Sequence, residues 1–184
     1  IPGIKVHTKI ALVIKENGNL KKSYAIVSTG NFNELTARFY TDHSLLTADN
    51  DINTELLVLF RFLEKRERPP GTNIPGFKRI FVSQFNLMET FERLIAGEIK
   101  NAKKGGKGLI RIKMNNLEEP GMIDKLYEAG KAGVTVHLII RSICRLIPGI
   151  PGISETITVK RLVDRYLEHS RIFIFGEDPD ATVI

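Results

Sequence analysis

Cysteine is almost missing from this 184-residue chain. Cys144 stands alone, so no internal disulfide can form, and its apolar neighbours (LIIRSICRLI) suit a packed thiol better than a reactive one. Redox chemistry is thereby set aside. Long apolar runs are missing as well: none approaches the roughly 20 residues that a membrane-spanning helix needs, and the first residues lack the charged-then-apolar layout of a signal peptide. The expected location is the cytoplasm, with peripheral membrane association of a larger complex as the variant. Acidic residues are outnumbered, 21 against 27 Lys and Arg, which gives a net charge of +6. An anionic partner is therefore favoured, and nucleotides, polyphosphate, nucleic acid and anionic lipid all remain open.

What is present is an ordinary globular composition, 42% hydrophobic and 26% charged, enough for one good core or two small ones. Residues 4–15 and 23–28 read as strands joined by a turn at Glu16-Asn17-Gly18-Asn19. Ile52, Leu56, Leu59, Phe60 and Leu63 fall at helical spacing over 51–66, with Asp51 or Asn53 as candidate N-cap. Pro69, Pro70, Gly71, Pro75 and Gly76 can continue neither element, so modules of 1–76 and 77–184 are expected. In the second, a strand at Ile80–Ser83 leads to a helix with a capping-box pattern at Asn86 and Glu89 and a buried stripe of Leu87, Phe91, Leu94, Ile95 and Ile99. Strand 109–114, helix 120–131 and strands at 134–141, 156–161 and 166–175 follow. The pattern predicts an α/β fold with helices packed on a mixed sheet. The chain opens on Ile1-Pro2-Gly3 and closes on Ala181-Thr182-Val183-Ile184, which reads like another strand. Both ends are expected to continue in a longer protein.

Each half carries a histidine followed two residues on by a cation: His7 with Lys9, and His169 with Arg171. On a strand such residues share a face. A fixed cation disfavours an imidazolium beside it and offsets the charge of a phosphoryl group arriving on the ring. The pattern is short, and a histidine with an incidental neighbour fits it too. A second element raises the signal: Ser28-Thr29-Gly30-Asn31-Phe32-Asn33 offers a glycine turn whose backbone N–H groups and two amide side chains, on Asn31 and Asn33, can meet an anion. It reads equally as a plain Asx-capped turn. His7, Lys9 and Asn31 resemble one half of a phospholipase D type site, and His169 centres the second half. His43 and His137 lack a basic partner two residues on and are read as structural. The basic run Lys100–Lys113 either lines a polyanion path or solvates a helix end and linker.

Longer strings, KVHTK, STGNFNELTARFYTDHSLLTA, MIDKLYEAGKAGV, IIRSICRLIPGIPGISE and VDRYLEHSRIFIF, resemble in order and spacing the two C-terminal domains of the polyphosphate kinase family. The resemblance covers nearly the whole chain. It implies two phospholipase D-like modules with mixed β-sheets flanked by helices, here partial, and reversible transfer of the ATP terminal phosphate to polyphosphate through a phosphohistidine. By that resemblance His7 is the nucleophile, and Tyr40, Arg141 and His169 contact nucleotide phosphate. Mg²⁺ arrives with ATP, its protein ligands lying beyond this chain. The partners are ATP or ADP and polyphosphate, with no nucleic acid, in a homo-oligomeric full-length protein. Lys9, Asn33 and Arg171 are added as phosphate contacts from geometry. Arg141 closes an apolar strand, where α/β sheets usually place ligands, and its fork suits phosphate.

One departure is plain. The family commonly has a histidine before the glycine turn, roughly YAHxGTGN, where this chain has Ile26, which can neither move a proton nor take a phosphate. Two other functions compete: a phospholipase D-like phosphodiesterase or nuclease, and a non-catalytic polyanion-binding module.

Overall fold

Strands β1 (Ile10–Asn17) and β2 (Leu20–Ser28) form an antiparallel hairpin in which Asn17 pairs with Leu20. Gly18 takes φ 57°, the left-handed conformation that a two-residue hairpin turn demands. This is the computed structural model of residues 5–18, 20–65, 76–83 and 85–184. The Pro-Gly stretch of 67–76 lies outside the described residues apart from Gly76. The chain divides into two compact units, Ile1–Ala37 with Asp42–Met88 and Arg38–Thr41 with Glu89–Ile184.

In the first unit a short helix α1 (Glu34–Ala37) follows β2, and the sheet takes the order β1-β2-β4, with β4 (Ser44–Thr47) antiparallel to β2. Helix α2 (Asn50–Lys65) buries Asn53, Leu56 and Leu59. Its N-cap is Asp49, whose Oδ1 accepts the N–H groups of Asp51 and Ile52, a correction to the expected Asp51 or Asn53. Asn53 instead points inward and its Nδ2 donates to the Ser23 carbonyl at 2.9 Å.

The strand expected at Ile80–Ser83 does not form. Lys78, Arg79 and Ile80 all donate their backbone N–H groups to the Glu55 carboxylate, at 2.9–3.1 Å. Three consecutive donors converging on one side chain cannot alternate as a strand requires. The capping box is also absent. Asn86 Oδ1 accepts from the Val82 N–H, and its Nδ2 donates to the carbonyls of Phe77 and Ile80, so the side chain ties the preceding loop.

The second unit is built on a mixed sheet in the order β10-β9-β5-β6-β7. Strands β5 (Leu109–Met114), β6 (Thr135–Ile140) and β7 (Ile157–Lys160) are parallel, β9 (Ile172–Phe175) runs antiparallel to β5, and β10 (Thr182–Val183) runs antiparallel to β9 and so in the direction of the first three. The expected strand over 166–175 is broken. Its first piece, β8 (Leu167–Glu168), leaves the sheet and pairs in parallel with β3 (Tyr40–Thr41).

Helices α3 (Leu87–Lys103) and α4 (Pro120–Lys131) cover one face of this sheet. Phe91 and Ile95 from α3 and Met122 and Leu126 from α4 surround a small apolar space together with Ile112, Leu138, Phe173 and Phe175. Gly108 lets β5 start flush against α3, because a Cβ there would lie 2.8 Å from the Glu98 carbonyl and 2.9 Å from Val134.

The Glu55 arrangement makes a prediction. Glu55→Ala removes charge-assisted bonds to three amides, at a cost of about 2 kcal/mol. Hydrogen exchange at Lys78, Arg79 and Ile80 should then accelerate about 30-fold relative to amides elsewhere in the first unit. Unchanged protection at those three positions would count against this role for Glu55.

Candidate functional site

The candidate residues separate into two groups, one in each unit. In the first, His7 and Lys9 precede β1 rather than lying within a strand, as was expected of them. The carbonyl of Lys9 accepts the Ser28 N–H at 2.8 Å, which extends the hairpin register by one position. Lys9 Nζ stands 2.8 Å from His7 Nδ1 and 3.1 Å from Nε2, and donates to the His7 carbonyl. The structure therefore brings this histidine and its cation together.

The glycine turn is organised around Asp42. Thr29 Oγ1 donates to Asp42 Oδ1 at 2.9 Å and accepts from the His43 N–H. A Cβ on Gly30 would fall 2.0 Å from the Asp42 carboxylate, so only glycine fits. Asn31 is exposed beside it. Asn33 Oδ1 accepts the N–H groups of Leu35 and Thr36 and so serves as the N-cap of α1, leaving its amide nitrogen as the donor. Ile26 lies two residues before Ser28, on the same face of the hairpin as Lys9.

In the second unit Tyr40, Arg141 and His169 converge. His169 and Ser170 are buried, at 8% and 3% exposure. They sit in the break between β8 and β9, so the shared-strand-face argument for His169 and Arg171 fails here. Arg171 Nη1 donates to the His169 carbonyl instead. The Tyr40 ring packs on the imidazole with centroids 5.0 Å apart and planes inclined by 59°. Arg141 emerges just beyond β6, and its Nη1 donates to the Glu168 carbonyl at 3.0 Å.

Thr41 accepts backbone N–H groups of the turn on its hydroxyl and its carbonyl. His169 N–H donates to Thr41 Oγ1 at 3.4 Å, and Ser170 N–H to the Thr41 carbonyl at 3.2 Å. Beneath lies an ion pair between Lys113 Nζ and Glu168 Oε2 at 2.7 Å. Lys113 Nζ also donates to Ser170 Oγ. The Glu168 carboxyl is held below its ordinary value of 4.5, first by the hydrogen bond from Lys113. The ammonium charge and a bond from Thr41 add to this, while partial burial opposes it.

Sequence reasoning had Lys113 only as the last member of a basic run. The structure divides that run: Lys100 and Lys103 end α3, while Lys113 belongs to β5. The usable signal was the alternation of Leu109-Ile110-Arg111-Ile112-Lys113-Met114, which puts Arg111 and Lys113 on the face opposite the buried Ile110 and Ile112. His137 stands on that polar face, its Nδ1 2.8 Å from Thr158 Oγ1.

Fold and site together define a mixed α/β protein of the phospholipase D-like type. Residues 80–183 match the family model "Polyphosphate kinase C-terminal domain 2", and residues 1–69 match "Polyphosphate kinase C-terminal domain 1". The polyphosphate kinase of Vibrio parahaemolyticus is 44% identical over 182 residues, 99% of this chain and 25% of the relative. That of Escherichia coli K12 is 44% identical over 183 residues, 99% of this chain and 26% of the relative. The crystal structure of polyphosphate kinase from Porphyromonas gingivalis superposes with a TM-score of 0.87 at 43% identity, covering all of this chain and 30% of that one. The chain belongs to the polyphosphate kinase family, and it spans about a quarter of the length of the curated relatives it matches.

The lowered Glu168 carboxyl carries a pH dependence of known sign. A depressed folded-state pKa stabilises fully above the unfolded value and is lost as pH falls through the folded value. Below about pH 4.5 the wild-type denaturation midpoint should fall more steeply than that of Glu168→Gln, with the two curves parallel above it. Parallel curves through the acid range would mean the Lys113 contact does not act on this carboxyl.

Proposed function

We propose that this chain carries the phosphoryl-transfer centre of a polyphosphate kinase, which moves the terminal phosphate of ATP reversibly onto polyphosphate through a phosphohistidine. The observation that supports it most is the meeting of Tyr40, Arg141 and His169, three residues from distant stretches of chain, around one buried turn.

In this reading a neutral His7 imidazole attacks the γ-phosphorus in line. The bond from that phosphorus to the β,γ-bridging oxygen breaks, and ADP leaves with the electron pair. Lys9 offsets the charge carried by the phosphorylated ring. A terminal polyphosphate oxygen then attacks the same phosphorus and frees the imidazole.

Arg141 and Arg171 bind phosphate oxygens, and His169 stabilises their charge or supplies a proton. Tyr40 holds the His169 ring and faces the nucleotide phosphates, while Asn31 and the Nδ2 of Asn33 donate to phosphate from the glycine turn. Modules of 1–76 and 77–184 stand as the partial first and second catalytic modules.

Mg²⁺ would come bound to the ATP phosphates, whose charge it neutralises. Among the described residues no group of three or more His, Cys, Asp or Glu side chains could hold a metal ion. No helix among the described residues is long and apolar enough to cross a membrane. A cytoplasmic homo-oligomer is the assembly this reading favours.

The test uses the full-length protein and ATP labelled in the γ-phosphate. Wild type should take up acid-labile label, and His7→Ala should reduce it to background. Arg141→Lys keeps the charge but loses the fork, and should raise KM for ATP by about tenfold while leaving the label's acid lability unchanged. Label that persists in His7→Ala would move the nucleophile elsewhere, and diester hydrolysis without ATP would replace the kinase reading altogether.

A further inference from the structure

Lys113 is the one cation of the second unit whose ammonium bridges both neighbours of His169. Its Nζ lies 2.7 Å from Glu168 Oε2 and donates to Ser170 Oγ, so the residues immediately before and after the histidine are held by a single group. The arrangement is largely withdrawn from water, with the Lys113 and Glu168 side chains 17% and 20% exposed and Ser170 at 3%. A lysine in such a place loses hydration and rotamer freedom, which a solvated surface lysine does not.

Lys113 is also set on a rigid base. It pairs with Ile139 of β6 and with Ile172 of β9, three residues beyond His169. The sheet thus fixes the ammonium, and the ammonium fixes the turn. Thr41 adds two longer bonds, accepting the His169 N–H on Oγ1 at 3.4 Å and the Ser170 N–H on its carbonyl at 3.2 Å, while Arg141 and Arg171 donate to the Glu168 and His169 carbonyls.

We propose that Lys113 is a positioning residue for His169: by gripping Glu168 and Ser170 it sets where the imidazole stands for phosphoryl transfer. The proposal rests on the kinase reading above. Lys113 touches neither nucleotide nor polyphosphate in this account, and acts only through the histidine it brackets. A displacement of about 1 Å at a reacting or charge-stabilising group costs up to roughly a hundredfold in rate. Lys113→Met keeps the length and apolar stem of the side chain while removing the donor.

The experiment is a double-mutant cycle in the full-length protein, read as the single-turnover rate of acid-labile labelling from γ-labelled ATP and as kcat and KM in steady state. Lys113→Met should lower kcat about 10- to 100-fold with KM for ATP changed less than about threefold. In the His169→Ala background the same substitution should produce no further loss, because the group it positions is gone. A merely structural lysine would depress both backgrounds equally.

Ser170→Ala removes one arm of the grip and gives a milder second variant should Lys113→Met fail to fold. It is expected to follow the same pattern with a smaller loss. Equal losses in the two backgrounds, or a wild-type kcat in Lys113→Met, would overturn the proposal while leaving the kinase reading intact. Unchanged labelling in His169→Ala alone would instead overturn the reading of His169, and this proposal with it.

Discussion

The parallel register of β5 and β6 is the constraint on which the second unit depends. Met114 stands opposite Ile140, so both strands finish together, and the Arg141 N–H closes the ladder on the Met114 carbonyl at 3.1 Å. Lys113 and Arg141 therefore rise from the same edge and the same face, because each is an even number of residues from a partner on that face. A slip of one residue between the two strands would turn one of these cations toward the helix-covered core and separate it from the other. Their joint presence beside Glu168 follows from strand pairing before any attraction between charges is considered.

Side chains do the work of backbone at several turns. Glu55 collects three amides, Asn86 ties Val82 to Phe77 and Ile80, and Ser154, fully buried, accepts from the Ile150 N–H and donates to the Ile147 carbonyl. Buried or half-buried loop backbone must find partners, and where no ladder is at hand a polar side chain supplies them. The turn at His169 follows the same rule, with Thr41 serving as the local partner.

Regular elements were legible where periodicity and packing agree. Helix α4 and strands β5 and β6 lie where the 3.6 and 2.0 spacings put them, since Leu126, Ala129, Ile110 and Leu138 are buried for the reason the pattern implies. Ile80–Ser83 misled because its short apolar run carries no record of Glu55, some 25 residues away. The apparent strand over 166–175 conceals a break, because β8 is drawn off by β3, a partner 127 residues earlier in the register of Tyr40 with Leu167. Candidate side chains were found by motif and resemblance, whereas Lys113 was hidden among lysines that merely end a helix. Long-range polar partners leave no local period, and that is why these features needed coordinates.

The two faces of the mixed sheet divide stability from chemistry. Ile110, Ile112 and Leu138 face α3 and α4 and are buried, so their replacement would act mainly through packing. Arg111, Lys113, His137 and Arg141 alternate with or follow them on the opposite face, where charge is compatible with partial hydration. The cation that brackets His169 sits on that second face, yet its backbone is locked into the same ladder as the core residues beside it. A strand thus transmits the rigidity of an apolar core to a polar cluster across a single peptide unit. Such a cluster can be both charged and precisely held without burying an unpaired charge in the core itself.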